Sequence, residues 1–503
     1  MPEAAGAVAA LAGKWEPVIG LEVHVQLSTA SKIFCGCATA YGAPPNTQVC
    51  PICLGYPGSL PALNRGAVEL AARAALALGC AVHPRSIFAR KHYFYPDLPK
   101  GYQISQYDRP LATGGALEIR LDDGSAKSIG ITRVHLEEDA GKSTHGPDGT
   151  RVDFNRCGLP LIEIVSEPDL VTPREAYLYL TALKRALEYL EVSDCNMEEG
   201  SLRCDANVSL RPRGESRLGT KTEVKNVNSF RYVEDALAYE IERQAAMLER
   251  GEAVVHETLL WDAGRGEARA MRSKELSHDY RYFPEPDLEP LDLDPARIAG
   301  LRAELPESPP ARAERFASRY GIPAYDAGVL TAARPLADWF EAAAAAFDDA
   351  KEVSNWVMGE VLRLANERGE AVTLAPEPRP LAPAALAGLL ALKAAGTISG
   401  SAAKEVLGVM VETGKEAGEI VRERGLAQVS DADALSAEVD AVIAAHPAEV
   451  AAFRGGKQGL IGFFVGQVMK RTGGQANPQL VNRLLREKLA GGAAGLSRLR
   501  EEV

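Results

Sequence analysis

Four cysteines near the start of the chain have the spacing of a metal site. They form a C-x-C pair, Cys35 and Cys37, and a C-x-x-C pair, Cys50 and Cys53, with twelve residues between the pairs. Two thiolate pairs joined by a short loop supply the four ligands of a tetrahedral Zn²⁺ ion. Because no ligand position is left for water, we predict a structural zinc site. The alternative, four reduced thiols in a reactive loop, is disfavoured because clustered exposed thiols oxidise.

Three segments with the alternation of β-strands each collect polar side chains on one face. Successive side chains of a strand point to opposite sides, so residues two apart share a face. The residues between them are mainly apolar and form the opposite face. The three polar faces are Glu22, His24 and Gln26 in residues 18–27, Arg133, His135 and Glu137 in residues 129–137, and Ser201, Arg203, Asp205, Asn207, Ser209 and Arg211 in residues 201–211.

The second of these segments runs into three consecutive acids, Glu137, Glu138 and Asp139. A divalent cation would relieve their mutual repulsion, and Glu22 and His24 have the spacing to reach one ion from a single strand. Mg²⁺ prefers carboxylate oxygens and water and tolerates an imidazole. A carboxylate–metal site is therefore one interpretation of these faces. The other is the solvated face of an antiparallel sheet, and alternation alone does not decide between the two.

The elements that would position these residues are those of an α+β protein. The first 290 residues or so combine short alternating segments and Gly/Pro turns with two clear helices, predicted over residues 65–78 and 173–190. A Pro- and Asp-rich passage at residues 282–295 suits a domain boundary. The sequence beyond it is Ala-rich and helical, and its last hundred residues suit a small all-helical domain.

Composition excludes several classes of protein. At 503 residues, 46% hydrophobic and 25% charged, the chain is long enough for about two to four domains. It has no apolar run of the roughly 20 residues that span a bilayer. Its first fourteen residues include Glu3 and lack a basic region, which disfavours a signal peptide. Eight cysteines are too few for a disulfide scaffold. We expect a cytoplasmic protein with no membrane partner.

The charge is distributed unevenly along the chain. The net charge of −12 disfavours a general nucleic-acid binder, yet residues 450–503 contain nine Lys or Arg and three Glu. A basic end on an acidic chain favours the capture of a polyanion, although a solvated helix face would have the same composition. P-loop, dinucleotide-binding, zinc-protease and serine-hydrolase motifs are missing. The residues by themselves therefore do not name a reaction.

Seven longer passages extend over nearly the whole chain from about Trp15. They are VIGLEVHVQL (18–27), KHYFYPDLPKGYQISQ (91–106), HLEEDAGKSTH (135–145), GLPLIEIVSEPD (158–169), EEGSLRCDANVSLRP (198–212), DYRYFPEPDLEPL (279–291) and GQANPQLVN (474–482). All of them resemble one family, the B subunits of aspartyl/glutamyl-tRNA amidotransferases. Matches of this length are far more specific than any short motif.

This resemblance implies an ATP-dependent enzyme that corrects misacylated tRNA. The side-chain carboxylate of Glu-tRNA(Gln) or Asp-tRNA(Asn) would be phosphorylated with ATP and then attacked by ammonia, which gives the amide. The implied partners are a small third subunit, an amidase-like glutaminase subunit, the misacylated tRNA and a non-discriminating aminoacyl-tRNA synthetase. Ammonia would reach the site through an internal channel. The implied cofactors are ATP, Mg²⁺ and Zn²⁺, the zinc being structural.

The resemblance also implies roles for particular residues. The Mg²⁺ ligands would be Glu22, His24, Glu137 and Glu138; the catalytic residues Glu137, Glu138, Lys91 and Asp205; and the tRNA-binding residues Lys457, Lys470, Arg471, Arg483 and Arg486. Lys91 would lie at the channel entrance, and Asp205 would orient ammonia or a metal-bound water.

The implied fold is α+β, an N-terminal antiparallel-sheet cradle domain with the zinc site, then a helical domain and a small all-helical tail domain. We predict these domains over residues 1–293, 294–405 and 406–503. Two other functions stay open. One is a zinc-containing tRNA-binding module without a catalytic role, which would not require the Mg²⁺ ligands. The other is an unrelated ATP-dependent ligase for a small carboxylate, which would not require the basic tail.

Overall fold

A large sheet with the N-terminal strand at its centre dominates the first half of the chain. The computed structural model describes residues 13–270, 280–367, 381–428, 432–473 and 475–490. Its strands are β1 Trp15–Gln26, β2 Ala81–Val82, β3 Arg85–Ser86, β4 Phe88–His92, β5 Tyr102–Gln106, β6 Ala112–Thr113, β7 Ala116–Arg120, β8 Ala126–Glu138, β9 Lys142–Gly146, β10 Gly149–Asp153, β11 Pro160–Ser166, β12 Leu202–Pro212, β13 Thr222–Lys225, β14 Thr258–Asp262, β15 Glu267–Ala270, β16 Phe283–Pro284 and β17 Leu291–Asp292.

The large sheet has the strand order β15-β14-β13-β12-β1-β11-β8-β6-β2, and β7 also pairs with β8. Its pairs are antiparallel except the parallel pair of β13 and β14. Smaller sheets join β9 to β10, β3 to β17, and β5 through β4 to β16. The predicted antiparallel character therefore holds for nearly the whole sheet.

Helices cover the apolar face of the large sheet. These helices are α1 Arg65–Ala77, α2 Pro173–Tyr189 and α3 Phe230–Glu249. Each begins at a side chain that accepts backbone N–H bonds, Asn64, Thr172 and Ser229 respectively. The first two helices match the predicted ranges. Their apolar stripes share one core with the inward residues of β1, β8, β11 and β12.

The second half of the described chain is helical, as predicted. Its helices follow α4 Pro295–Ala303 and are α5 Pro309–Tyr320, α6 Ala324–Leu330, α7 Arg334–Ala346, α8 Ala350–Trp356, α9 Leu362–Glu367, α10 Pro383–Ala394, α11 Gly400–Thr413, α12 Ala417–Arg424, α13 Ala432–Ala445, α14 Pro447–Arg454, α15 Ile461–Arg471 and α16 Pro478–Leu489. A π-helical turn, Val357–Val361, joins α8 to α9, and a 3₁₀ turn, Gln458–Leu460, precedes α15.

The chain divides into two units, Met1–Pro309 and Pro310–Val503. Helix α4 belongs to the first unit, because its Leu301 packs against Ala72 and Leu76 of α1. The second unit contains two separate apolar cores, one formed by α5 to α12 and one by α13 to α16. The three predicted domain ranges stay a prediction. Along the described residues, each helix is either too short or too polar to cross a membrane.

Candidate functional site

The register of four neighbouring strands aligns polar side chains in a row across the large sheet. On β1, His24 pairs directly with Arg203 of β12 on one side and with Glu163 of β11 on the other. Glu163 in turn pairs with His135 of β8. Since directly paired residues share a face, these four side chains lie on the face opposite the helices.

Two imidazoles and two carboxylates meet at the centre of this row. His24 Nε2 lies 3.6 Å from Glu137 Oε1 and 3.4 Å from Glu163 Oε2. His135 Nε2 lies 3.7 Å from Glu137 Oε2 and 3.4 Å from Glu163 Oε2. His135, Glu137 and Glu163 are buried. One ligand atom from each of His24, Glu137 and Glu163 lies within 4.8 Å of the others, so the three can hold one metal ion. We call these three residues the imidazole–carboxylate cluster.

Burial and opposite charge act against each other in this cluster and at His135 beside it. Burial lowers the pKa of His135, but the charges of Glu163 and Glu137 outweigh it and raise this pKa to about 9. The pKa of His24 is raised for the same reason. Burial raises the pKa values of Glu137 and Glu163, but the neighbouring imidazoles lower both below the usual range. Both carboxylates are therefore ionised at neutral pH, as metal ligation requires.

Glu22 and Asp205 form the next row of the same face, paired with each other across β1 and β12. Asn207 Nδ2 donates to Glu22 Oε1 at 3.0 Å, and Lys225 Nζ lies 2.7 Å from Asp205 Oδ2. Burial and the charge of Glu163 raise the pKa of Glu22. The structure thus brings both predicted residues beside the imidazole–carboxylate cluster but not into its group of metal-binding atoms.

Glu138 lies elsewhere. Its carboxylate accepts from the backbone N–H of Ile104 at 2.8 Å and forms a buried ion pair with Lys100. It lines a cavity of about 220 Å³ that also contacts Cys35 and Cys53. The alternation of β8 separates it from Glu137, so the structure does not place the two predicted ligands around one ion. The resemblance alone assigned Glu138 to the metal. Glu138 lies apart from the other predicted ligands because its side chain is on the other face of β8.

Lys91 belongs to β4, in the small sheet that β4 forms with β5 and β16. Its Nζ lies 4.9 Å from the centre of the Tyr280 ring. Burial lowers the pKa of Lys91, but the charge of Glu137 outweighs that effect and the pKa is raised. Lys91 is therefore a cation in this structure. Its attraction to Glu137 places it within electrostatic reach of the predicted site.

The third predicted acid, Asp139, lies on the same face as Glu137 and is fixed by two close donors and one further cation. Gln26 Nε2 lies 2.9 Å from Asp139 Oδ2, Arg203 Nη2 lies 2.8 Å from it, and Arg156 Nε lies 3.5 Å from it. Burial raises the pKa of Asp139, but the charges of Arg203 and Arg156 outweigh burial and lower it. Asp139 therefore stabilises the end of β8 and holds Arg203 in place.

The four predicted zinc ligands converge. One sulfur from each of Cys35, Cys37, Cys50 and Cys53 lies within 4.8 Å of the others, and none of these cysteines is in a disulfide. The hydrogen bond from Cys35 lowers the pKa of Cys53 to about 5, which favours the thiolate that zinc requires. The donor set and its geometry fit Zn²⁺, with no fifth protein ligand in the group.

The predicted tRNA-binding residues belong to the part of the second unit that surrounds its last apolar core, and they lie on its surface. Lys457, Lys470, Arg471, Arg483 and Arg486 are all exposed. Arg471 Nε is 2.7 Å from Glu438 Oε2 on α13, and Arg486 Nε donates to Asn482 Oδ1 at 3.3 Å. Lys488, which was not predicted, is drawn inward by Asp440 and Ser436. The exposed cations are thus available to a polyanion, with Arg471 already neutralised.

Comparison with known proteins identifies the class of the first unit. A family model described as the GatB/GatE catalytic domain matches residues 17–299, and one described as the GatB domain matches residues 338–489. The sheet with its buried imidazole–carboxylate cluster is therefore a catalytic domain of the GatB/GatE class. The second model ends within α16 and so includes the helices of the last core.

Similar proteins cover the chain almost completely. The aspartyl/glutamyl-tRNA(Asn/Gln) amidotransferase B subunit of Moorella thermoacetica is 59% identical over 480 residues, 95% of this chain and all of the relative. Those of Anaeromyxobacter sp. strain K and Thermodesulfovibrio yellowstonii are 56% and 54% identical, over 94% of this chain and 99% and 98% of their own lengths. The chain belongs to the family of amidotransferase B subunits.

Glu163 is the cluster residue that the sequence did not reveal as a ligand. It lies in β11, PLIEIVS, where nearly every side chain is buried. No other polar residue of this strand is an even number of positions away, so alternation shows no polar face there. His135 was placed on the polar face but not assigned a role. The signal for both lies in the pairing of β11 with β1 and β8, which joins residues far apart in the sequence.

Proposed function

We propose that this chain acts in an amidotransferase complex, as its B subunit, and that the complex converts misacylated Glu-tRNA(Gln) and Asp-tRNA(Asn) into Gln-tRNA(Gln) and Asn-tRNA(Asn). The observation that carries the proposal is the family match over 95% of the chain. The imidazole–carboxylate cluster supports it, because a module that only bound tRNA would have no use for buried, ionised carboxylates beside imidazoles. ATP use follows from the family.

The reaction explains why such a site is needed. A carboxylate resists nucleophiles because of its charge and because an oxide ion is a poor leaving group. Transfer of a phosphoryl group from ATP gives an acyl phosphate, whose phosphate leaves when ammonia attacks the carbonyl carbon. Phosphoryl transfer depends mainly on positioning and on neutralising charge. The protein therefore has to hold two anions, the carboxylate and the triphosphate, close together.

We propose His24, Glu137 and Glu163 as the residues that hold Mg²⁺. Mg²⁺ would neutralise phosphate charge when it is bound. Glu22, at the neighbouring position on β1, would accept from a water of the ion, and its raised pKa suits an acid next to other acids. In this proposal Glu138 is not a ligand of Mg²⁺. It connects β8 to β5 through the backbone of Ile104 and forms an ion pair with Lys100.

The remaining predicted roles follow from position. Lys91, near enough to Glu137 to feel its charge, would attract the substrate carboxylate or the phosphates. Asp205 would accept a hydrogen bond from neutral ammonia, whose lone pair stays free to attack the acyl phosphate, or from a metal-bound water. The ion pair with Lys225 holds the Asp205 carboxylate in position for that purpose. The zinc site would fix the loop beside Glu138, which it reaches through the shared cavity. The exposed tail cations would bind tRNA phosphates.

Partner proteins complete the proposal. The family implies further subunits, and we propose an amidase-like glutaminase that releases ammonia from glutamine, together with a small third subunit. A non-discriminating synthetase would supply the misacylated tRNA.

The test uses the complex reconstituted with its partner subunits, with Glu-tRNA(Gln), ATP, Mg²⁺ and ammonium chloride. Free ammonium bypasses glutaminase chemistry, so the product reports the step assigned to this chain. We expect His24→Ala and Glu163→Gln to lose at least about 100-fold in rate with tRNA binding retained. Glu118→Gln, an exposed carboxylate of β7, is the matched control. Full activity of both cluster variants would leave the tRNA-binding module as the better interpretation.

A further inference from the structure

Arg133 lies at the edge of the imidazole–carboxylate cluster without taking part in it. It belongs to the polar face of β8, two residues before His135, and pairs directly with Val165 of β11. Its Nη2 lies 3.9 Å from Glu163 Oε1, beyond hydrogen-bonding distance. The side chain is 34% exposed, whereas that of His135 is 3% exposed. Arg133 and Arg203 are thus both cations of this face that lie next to the cluster and are partly exposed, at 34% and 36%, and they differ in their partners.

Glu163, at 3.9 Å, is the ion-pair partner of this guanidinium among the described residues. Within the described part of the chain no acceptor lies at hydrogen-bonding distance, and its Nε is buried without a partner. Other cations of the same face are engaged: Arg203 Nη2 is 2.8 Å from Asp139 and Arg211 Nη2 is 2.8 Å from Glu16. A guanidinium has five donors in a rigid fork, and those of Arg133 that reach the surface can exchange water for the oxygens of a ligand. Arg133 therefore has donors available to a ligand that Arg203 and Arg211 have in part committed to carboxylates.

The backbone at Arg133 is fixed by an irregularity of the sheet. Between Val165 and Ser166 the register shifts, so that one step along β11 corresponds to two steps along β8 and Thr132 is the extra residue. Thr132 Oγ1 donates to Glu167 Oε1 at 2.7 Å. Bulges of this kind occur beside active sites, where they redirect a side chain. The bulge therefore sets the backbone position from which Arg133 extends at the rim of the cluster.

We propose that Arg133 binds the γ-phosphoryl group of ATP while it is transferred to the substrate carboxylate. The inference rests on the proposed function. In the transfer, the bond between the γ-phosphorus and the β,γ-bridging oxygen breaks, a bond from phosphorus to a carboxylate oxygen forms, and ADP leaves with the electron pair; no proton moves. The planar guanidinium donates to two non-bridging oxygens at once, which a lysine does not do.

Its neighbours are less suited to this role. The Nη2 group of Arg203 is already paired with Asp139. Lys91 has a single charged nitrogen instead of a planar fork, and it is attracted to Glu137. An anion placed between Arg133 and the imidazole–carboxylate cluster would meet a cation on one side and the ion held by the cluster on the other. That position is where the negative charge of the transferred group has to be neutralised.

The test compares Arg133→Ala and Arg133→Lys with Arg211→Ala in the reconstituted complex. Arg211 is a matched control, because it lies on the same polar face, has one ion pair and also has a buried, unpartnered Nε, but lies at the far end of β12. With ammonium as nitrogen donor we expect kcat to fall at least about 100-fold in Arg133→Ala and at least about tenfold in Arg133→Lys. Arg211→Ala should keep the wild-type kcat.

Two further readouts separate phosphate binding from a structural role. The affinity for ATP should fall by about tenfold or more in Arg133→Ala while that for ADP stays constant, since ADP lacks the γ-phosphate. Added guanidinium ion should restore part of the activity of Arg133→Ala and none to His24→Ala. Equal losses of ATP and ADP affinity, or failure of rescue, would overturn the proposal.

The same assay distinguishes this proposal from the proposed function. If wild-type complex forms no ATP-dependent amide, the function is wrong and Arg133 has no phosphate to bind. If His24→Ala is inactive and Arg133→Ala turns over at the wild-type rate, the function stands and Arg133 is removed from it. The Arg133→Lys variant keeps the charge and most of the volume, so the comparison remains decisive should Arg133→Ala fold poorly.

Discussion

Glu137 and Glu138 are adjacent in the sequence, yet their carboxylates lie on opposite sides of β8. Glu137 lies 3.6 Å from His24, while Glu138 forms an ion pair with Lys100 and lines the cavity that reaches Cys53. One strand therefore links two different environments. The first brings together groups that can hold a metal ion, and the second faces a cavity shared with the loop of the four cysteines.

This separation predicts different outcomes for the same chemical change. Glu137→Gln should weaken the binding of Mn²⁺, used as a probe for Mg²⁺, by about 10- to 100-fold because it removes a charged ligand. Glu138→Gln should leave Mn²⁺ affinity within about twofold and lower the free energy of unfolding by about 3 kcal/mol, since it leaves Lys100 unpaired in a buried site. Paramagnetic resonance and urea unfolding measure the two effects. Equal loss of Mn²⁺ affinity in both variants would return Glu138 to the metal.

Zinc should be required for stability and not for turnover of the folded enzyme. Cys53→Ser removes one of four ligands, so zinc content should fall from one per chain toward zero and Tm by at least about 5 °C. Cys80→Ala, a buried cysteine outside the cluster, is the control and should keep its zinc. Elemental analysis and calorimetry are the measurements. Full zinc content in Cys53→Ser would contradict a four-cysteine site.

The exposed cations of the last helices should contribute to tRNA affinity through charge alone. Arg483→Ala should weaken binding modestly and reduce the slope of log Kd against log salt by about 0.7 to 0.9 per lost contact. Arg471→Ala should have a smaller effect, because Glu438 already neutralises that guanidinium. Arg424→Ala, whose residue pairs with Glu405, is a control outside the last core. An unchanged slope for Arg483→Ala would make this surface an ordinary solvated helix face.

The helical half contains an ion-pair cluster whose stabilising effect should depend on pH. Glu341 of α7 accepts from Arg315 Nη1 at 2.6 Å and from Arg312 Nη2 at 2.5 Å, both on α5. These bonds, first that from Arg315, lower the pKa of Glu341 to about 2. Because the pKa of Glu341 is lower in the folded state than in the unfolded state, its carboxylate stabilises the fold at pH values above the unfolded-state pKa. This stabilisation is lost as the pH falls toward 2. Glu341→Gln should therefore cost about 2–3 kcal/mol at pH 7 and progressively less below pH 4.5.

Urea unfolding of the full chain at pH 7, 4 and 2.5 measures this dependence. Glu367→Gln is the control, because Glu367 forms an exposed i,i+4 pair with Arg363 that should contribute no more than about 0.5 kcal/mol. A pH-independent difference between Glu341→Gln and the wild type would mean that Glu341 acts through packing and not through its charge.

Alternation along single strands was enough to predict one side of the site. It grouped Glu22 with His24, put His135 and Glu137 together, and ordered the polar residues of β12, because each of these faces is written in one continuous segment. The two cysteine pairs also lie in one short segment, so their spacing was enough to predict that the four sulfurs come together. The local pattern states which residues share a face, and the structure agrees.

What the sequence could not provide is the order of strands. His24 meets Glu163 through a pairing between segments 139 residues apart, and no local pattern encodes that register. Glu163 is a single acid in a buried strand. From the sequence alone, such an acid fits a structural ion pair as well as it fits a metal ligand. Glu138 was assigned by motif, although the alternation that placed Glu137 already put its neighbour on the other face.

Strand β1 occupies the middle of the large sheet, although it precedes every other described strand in the sequence. Both of its partners, β11 and β12, begin at residue 160 or later. At about 5–20 residues per second of synthesis, a nascent chain spends roughly 7–27 seconds with the finished β1 segment lacking both neighbours. During that interval VIGLEVHVQL is a segment with one apolar face and with unpaired backbone groups on both edges, which is open to pairing with other chains. His24 thus cannot meet Glu163 until about a third of the chain has been translated.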